Sequence, residues 1–294
     1  MGRRSVIKII ILQRAIIILI IKGSIWPLKI KINMKSILLI TFGYLGIVMP
    51  SMAQDFSAFE AKTLIHRGDT LPYRILYPEN YDPNGNYPVL FFLHGAGERG
   101  NDNEKQLTHG GQLFIGDTVR RDFPAIVVFP QCPADSYWSN VNAQRQPNGH
   151  REFYFSTGGK PSEGMRLFLR LVRQVLNDEA VDKQRVYIGG LSMGGMGTYE
   201  ALRRKPRLFA AAFAICGGDN TANVSKYAHV PLWIFHGEKD DVVPPMHSRV
   251  IVQELKRLGA EPKYTFYPEA NHNSWDSAFA EPDFLSWLFS HRKK

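Results

Sequence analysis

The chain has 294 residues, 44% of them hydrophobic, and its 36 Lys and Arg outnumber 27 Asp and Glu for a net charge of +9. That excess sits at one end: residues 1–53 carry eight basic residues and no acidic one, leaving 28 basic and 27 acidic residues from Gln54 onward. A nearly neutral remainder argues against nucleic acid as a partner, because displacing phosphate counterions takes clustered Lys and Arg.

In chain order, residues 1–53 read as a leader. Met34-Lys35 is followed by an apolar run from Ser36 to Met49 and by Ser51-Met52-Ala53, a small-x-small pattern. This predicts a signal peptide over 34–53, cleaved before Gln54, and a secreted or periplasmic product. The run is shorter than the roughly 20 apolar residues of a membrane span, so no stable span is expected after cleavage. Residues 1–33 have Ile-rich runs broken by Lys8, Arg14 and Lys22, with Pro27 beyond. They read as an upstream start misassigned ahead of Met34. The alternative is an anchor helix from Val6 to Ile21, whose internal charges are costly in lipid. Residues 54–294 are long enough for one substantial core, with no repeat or linker to divide them.

Leu71 to Tyr77 predicts a short strand, and Pro88 to Leu93 (PVLFFL) is a continuous apolar run of the kind that forms a strand buried on both faces. Similar runs are Ala125–Phe129, Arg185–Leu191, Ala211–Ile215 and Leu232–Phe235, with a further strand at Lys263–Tyr267. Between them, helices are predicted over Ser162–Asn177, Met193–Arg204, Met246–Leu258 and Ser274–Phe289, with Ser162 as an N-cap. Alternating strands and helices imply an α/β fold, a mainly parallel sheet with helices on both faces.

The strand ending at Leu191 runs into Gly190-Leu191-Ser192-Met193-Gly194 and then a helix, the strand-turn-helix context of a G-x-S-x-G nucleophile elbow. A serine hydroxyl needs a base to take its proton and an acid to orient that base. In this arrangement the chain order is Ser, then acid, then His. His272 follows the last predicted strand in a polar loop that can reach over the sheet edge, whereas His247 and His291 read as solvated surface residues. For the acid, the loop after Leu232–Phe235 offers Asp240 and Asp241, and both qualify chemically. Two backbone N–H groups must also face the developing oxyanion. Met193 supplies one. The His94-Gly95-Ala96-Gly97 loop supplies the other, Ala96 first and Gly97 as the alternative and as a point of close backbone approach to substrate.

LHGAGERG at Leu93–Gly100, GGLSMGGMGTYEAL at Gly189–Leu202, IFHGEKDDVVP at Ile234–Pro244 and EANHNSW at Glu269–Trp275 resemble the α/β-hydrolase superfamily. The match is to phospholipase/carboxylesterase-like and dienelactone-hydrolase-like serine esterases, a group that includes secreted feruloyl and acetylxylan esterases and proteins labelled as peptidases. It covers nearly everything from Leu71 to Phe289. The His-Gly-x-x-Asp-x-x-Val-Pro pattern of that family selects Asp240 over Asp241, giving an implied triad of Ser192, Asp240 and His272. Dienelactone hydrolases proper use cysteine where this chain has Ser192, so lactone opening is not favoured.

The resemblance also implies a strand order that separates the ends carrying Cys132 and Cys216 by three steps, roughly 14 Å. A disulfide needs Cα atoms within about 7 Å, so free thiols are expected.

A long polar stretch between Phe129 and Pro161 contains Trp138, Tyr154 and Phe155 among Asn and Gln. Trp138 is taken from it as a candidate substrate contact, with core filling as the alternative. Between Ile215 and Pro231 there is no helical cap, so an open cleft is expected, suited to soluble or polysaccharide-linked esters rather than triglycerides. The resulting expectation is an exported serine carboxylesterase that needs no metal or cofactor. A prolyl-oligopeptidase-type peptidase is the first alternative, lacking here the propeller it normally carries. A non-catalytic binding protein on the same scaffold is the second.

Overall fold

A computed structural model describes residues 55–147 and 151–293. The expected leader and its signal peptide lie outside the described residues.

The apolar runs pair into one sheet. Its strands are β1 (Glu60–His66), β2 (Asp69–Leu76), β3 (Tyr87–Leu93), β4 (Ile126–Pro130), β7 (Val181–Leu191), β8 (Ala211–Ile215), β9 (Leu232–Gly237) and β10 (Lys263–Tyr267). They are ordered β1-β2-β4-β3-β7-β8-β9-β10. The pairs β1/β2 and β2/β4 are antiparallel, and every other neighbouring pair is parallel. Successive side chains of the central strands go to opposite faces. Val89, Phe91, Ile126 and Val128 join the core beneath α3 (Glu163–Asp178), α4 (Met193–Arg204) and α5 (Met246–Arg257). Leu90, Phe92, Val127 and Phe129 join the core on the other face, with Phe114 of α1 (Gly111–Ile115), Ala278 of α6 (Trp275–Phe279) and Phe284 of α7 (Phe284–Ser290). A further short helix, α2 (Asp117–Asp122), follows α1. This is the α/β-hydrolase architecture.

At the start of α3, Ser162 acts as the cap, its Oγ accepting from the Met165 N–H at 3.3 Å and donating to the Tyr137 carbonyl at 2.6 Å. Cys132 and Cys216 are free and buried, at the ends of β4 and β8, which are three steps apart in the sheet.

Several elements differ from the sequence reading, which placed no helix at α1 or α2. The edge strand β1 was not anticipated; its burial pattern is mostly exposed, as suits the outer strand of a sheet. The polar stretch after β4 folds in part as an antiparallel hairpin of β5 (Val141–Arg145) and β6 (Arg151–Phe155). The single helix expected over Ser274–Phe289 is two, α6 and α7, divided ahead of Phe284 by Pro282, which lacks the N–H a continuous helix would need. The connection after β8 carries a 3-10 helix at Thr221–Lys226. Among the described residues no helix is long and apolar enough to cross a membrane.

Candidate active site

β7 ends in the turn that exposes Ser192, which holds φ 53° and ψ −117°, a left-handed conformation unfavourable for a residue with a Cβ. The surrounding packing imposes it. The Ser192 N–H donates to the Ile215 carbonyl at 2.8 Å, and the Ser192 carbonyl accepts from the Met196 N–H at 3.0 Å. The two elbow glycines are sterically obligatory. A Cβ on Gly194 would stand 1.8 Å from the Leu93 carbonyl oxygen, and one on Gly190 would stand 2.5 Å from the same atom.

Asp240 follows β9 and His272 follows β10, so parallel neighbours deliver both residues to the same sheet end as Ser192. The three meet in one chain of hydrogen bonds. Ser192 Oγ lies 3.0 Å from His272 Nε2, and His272 Nδ1 lies 2.8 Å from Asp240 Oδ2. Since an ionised carboxylate only accepts, the imidazole proton sits on Nδ1, and the Nε2 lone pair faces the serine hydroxyl.

Asp240 is buried, and its carboxylate is fully engaged. Oδ1 accepts from the Val242 and Val243 N–H groups, each at 2.9 Å. Oδ2 also lies 3.2 Å from Nε2 of the buried His236. That His236 nitrogen is 2.8 Å from the Val243 carbonyl, so it faces two acceptors and must carry a proton; Nδ1 pairs with Ser248 Oγ at 2.7 Å. Burial raises the Asp240 carboxyl pKa, but hydrogen bonds from His236 and His272 and the nearby imidazole outweigh it, and the group is held well below the usual carboxylate range.

Of the expected oxyanion donors, Met193 is the first residue of α4 and Ala96 the first of a 3-10 turn, Ala96–Glu98. Neither N–H is therefore used within its own helix. The loop abuts Ser192, since a Cβ built on Gly95 would be 3.7 Å from Ser192 Cβ. Behind the loop, the Cys132 N–H donates to His94 Nε2 at 2.9 Å, which fixes the proton on Nδ1, where it reaches the Gly95 carbonyl at 2.6 Å. Burial pushes the His94 pKa down to about 4.

Trp138 is placed here rather than against substrate, correcting the expectation. It is fully buried, its indole N–H donates to the His94 carbonyl at 3.2 Å, and its ring packs on Phe168 of α3. Gly97 does line the cleft. His247 is not a solvated residue, because its ring packs edge-to-face against both Phe153 and Phe155 of the hairpin. His291 packs against Trp287.

The cleft itself has a volume of about 170 Å³, and Ser192, His272 and Ala96 line it together with Glu98, His109, Arg151 and Trp275. None of those last four was singled out from the sequence. Glu98 is largely buried, with Oε1 3.8 Å from His109 Nε2.

One triad-adjacent group bears on metal binding: donor atoms of Cys216, Asp240 and His272 lie within 4.8 Å of one another. Asp240 and His272 are already hydrogen-bonded to each other there, and burial pushes the Cys216 thiol up, away from the thiolate a metal would need. The set does not make a metal centre.

A parallel sheet flanked by helices, with a serine on a strained elbow and a histidine and aspartate on the next loops along, defines the class as α/β hydrolase. Residues 83–285 match the Phospholipase/Carboxylesterase family, more than half of the chain, and the protein belongs to that family. It is 30% identical over 167 residues to the bifunctional acetylxylan esterase/xylanase XynS20E of Neocallimastix patriciarum, covering 56% of this chain and 21% of that one. A probable feruloyl esterase C of Aspergillus oryzae is 23% identical over 180 residues, 61% of this chain and 58% of the relative. The solved structure of a thermostable esterase matches with a TM-score of 0.72 at 34% identity, over 81% of this chain and 64% of that one. The chain thus spans less than two thirds of the length of each of these proteins.

Proposed function

We propose that the protein is an exported serine carboxylesterase that cleaves acyl esters of plant polysaccharides through a covalent acyl-enzyme. The observation that carries this reading is the continuous hydrogen-bond chain from Ser192 Oγ through His272 to Asp240, at 3.0 and 2.8 Å. His272 Nε2 takes the hydroxyl proton as Ser192 Oγ attacks the ester carbonyl carbon. The carbonyl oxygen becomes an oxyanion facing the Ala96 and Met193 N–H groups. Collapse breaks the bond to the alcohol oxygen, which leaves with the proton returned by His272. Water, deprotonated by the same nitrogen, then releases the acid and restores Ser192. Asp240 stays ionised and balances the imidazolium.

The names of the acetylxylan and feruloyl esterase relatives support a plant-wall ester as substrate. Export rests on the signal-peptide pattern of residues 34–53, and the mature chain should begin at or near Gln54. Turnover of p-nitrophenyl acetate, methyl ferulate, acetylated xylan and aminoacyl-nitroanilides tests the reading. Ester hydrolysis is expected, and faster cleavage of anilides than esters would overturn it in favour of a peptidase.

A further inference from the structure

A second hollow adjoins the Ser192 cleft. His109 and Trp275 stand at its edge with ring centroids 4.8 Å apart, and the Trp275 indole meets the His272 imidazole edge-to-face at 5.5 Å. Both residues line the nucleophile's cleft of about 170 Å³, and both also line a second hollow of about 410 Å³ between α1 and α6. The remainder of that hollow mixes apolar Leu113 and Phe279 with polar Gln112 and Asp276.

Size and direction assign it. Pockets that bury a whole small-molecule ligand run from about 300 Å³ upward, so the cleft alone is too small to hold both halves of a sizeable ester. During acyl transfer the base returns its proton to the leaving oxygen, which places the alcohol on the base's side of the nucleophile, while the carbonyl oxygen turns toward the oxyanion donors. Trp275 flanks the His272 ring, so the hollow lies where the alcohol departs. Its lining offers aromatic faces beside an amide and a carboxylate. That combination suits a ring with apolar C–H faces and hydroxyl groups around its rim, and the carboxylate disfavours an anionic alcohol.

We infer that the hollow between α1 and α6 is the leaving-alcohol subsite, that it accepts a glycosyl unit, and that the His109–Trp275 pair is the wall between this unit and the acyl group. The assignment rests on the esterase reading above.

Three acetates with a common acyl group test it: p-nitrophenyl acetate, a mono-O-acetyl methyl β-D-xyloside and mono-O-acetyl xylotriose. Gln112→Trp and Ala280→Trp fill the hollow from exposed rim positions. The ratio of kcat/KM for glycosyl acetate to that for p-nitrophenyl acetate should fall about tenfold or more in each variant. Calorimetry should show xylotriose binding to the wild type and several-fold weaker binding to both variants. An unchanged ratio in both variants would overturn the assignment. So would a loss that follows acyl size when methyl acetate and methyl ferulate are compared, since the hollow would then hold the acyl group. Failure of the wild type to turn over any ester would instead sink the esterase reading, and xylotriose binding would still report on the hollow.

Discussion

Replacing Asp240 by Asn separates the role of the acid from its size. In the native site both carboxylate oxygens only accept: Oδ1 from two backbone N–H groups at 2.9 Å, and Oδ2 from His272 at 2.8 Å with His236 at 3.2 Å. An amide has one accepting oxygen. If that oxygen stays on the Val242 and Val243 N–H groups, the NH2 faces the His272 nitrogen that now carries a proton. The imidazole must then shift its proton to Nε2, where it can no longer accept from Ser192. If the amide flips, two of its N–H bonds face two backbone N–H groups in a buried pocket. Either way the base is lost or the loop is strained, and kcat should drop by about 10⁴, the equivalent of roughly 5 kcal/mol in the barrier. Asp241 is exposed, and Asp241→Asn should leave kcat within about twofold, as for surface changes away from special features. Steady-state hydrolysis of p-nitrophenyl acetate, with melting temperatures as a check on folding, decides the matter. Equal losses in the two variants, or an Asp240→Asn enzyme within tenfold of wild type, would refute the reasoning.

Trp138→Ala should destabilise the fold by about 3 kcal/mol or more, as removal of a fully buried aromatic does, with KM little changed; a raised KM at unaltered urea midpoint would restore its place in the substrate site. His94 gives a pH signature. Its folded pKa of about 4 lies below an unfolded value near 6.5. Between those two values the unfolded chain binds a proton that the folded chain refuses, so stability is complete above pH 6.5 and is lost as pH falls toward 4. The loss is on the order of 3 kcal/mol, and urea unfolding across that range should be flatter in His94→Gln than in wild type. His236→Leu removes the second donor to Asp240 Oδ2 and should lower kcat about tenfold with KM nearly constant, the rate equivalent of one hydrogen bond to a charged group. His236→Gln, which keeps an N–H donor, should recover part of it, and equal rates in both variants would remove His236 from the account.

The parts of the fold most legible in the sequence were those whose burial is uniform. β3, β4, β8 and β9 are covered on both faces and read as unbroken apolar runs, and the elbow glycines announce themselves because steric exclusion permits nothing larger. β1 (EAKTLIH) was not legible, because it is a mostly exposed edge whose alternation is masked by charged side chains. The hairpin β5/β6 was hidden for a similar reason: VNAQR is almost wholly exposed. The break between α6 and α7 had a signal in Glu281-Pro282 that hydrophobic periodicity overrode. Within the site, His272 could be placed because its polar loop follows a predicted strand, whereas strand position left Asp240 and Asp241 equally open and only the resemblance to the His-Gly-x-x-Asp-x-x-Val-Pro pattern selected Asp240. His109 comes from the long connection after β3 and Arg151 from the start of β6, where nothing local marks proximity to Ser192. His236 sat inside a motif already quoted, but its pairing with Asp240 depends on the turn that folds Val243 back over it. Trp138 lay in a polar stretch, and only the packing of α3 against the loop behind β3 shows that it faces inward.

Covalent labelling tests the central claim most directly. Diisopropyl fluorophosphate should modify the wild-type protein at one equivalent, on the peptide containing Ser192, and the labelling rate should fall by about 10³ or more in His272→Ala. The double variant Ser192→Ala/His272→Ala should be no less active than either single variant, because both act in one step. A label on another serine, or labelling of His272→Ala at the wild-type rate, would contradict the assignment of Ser192 and His272 as nucleophile and base.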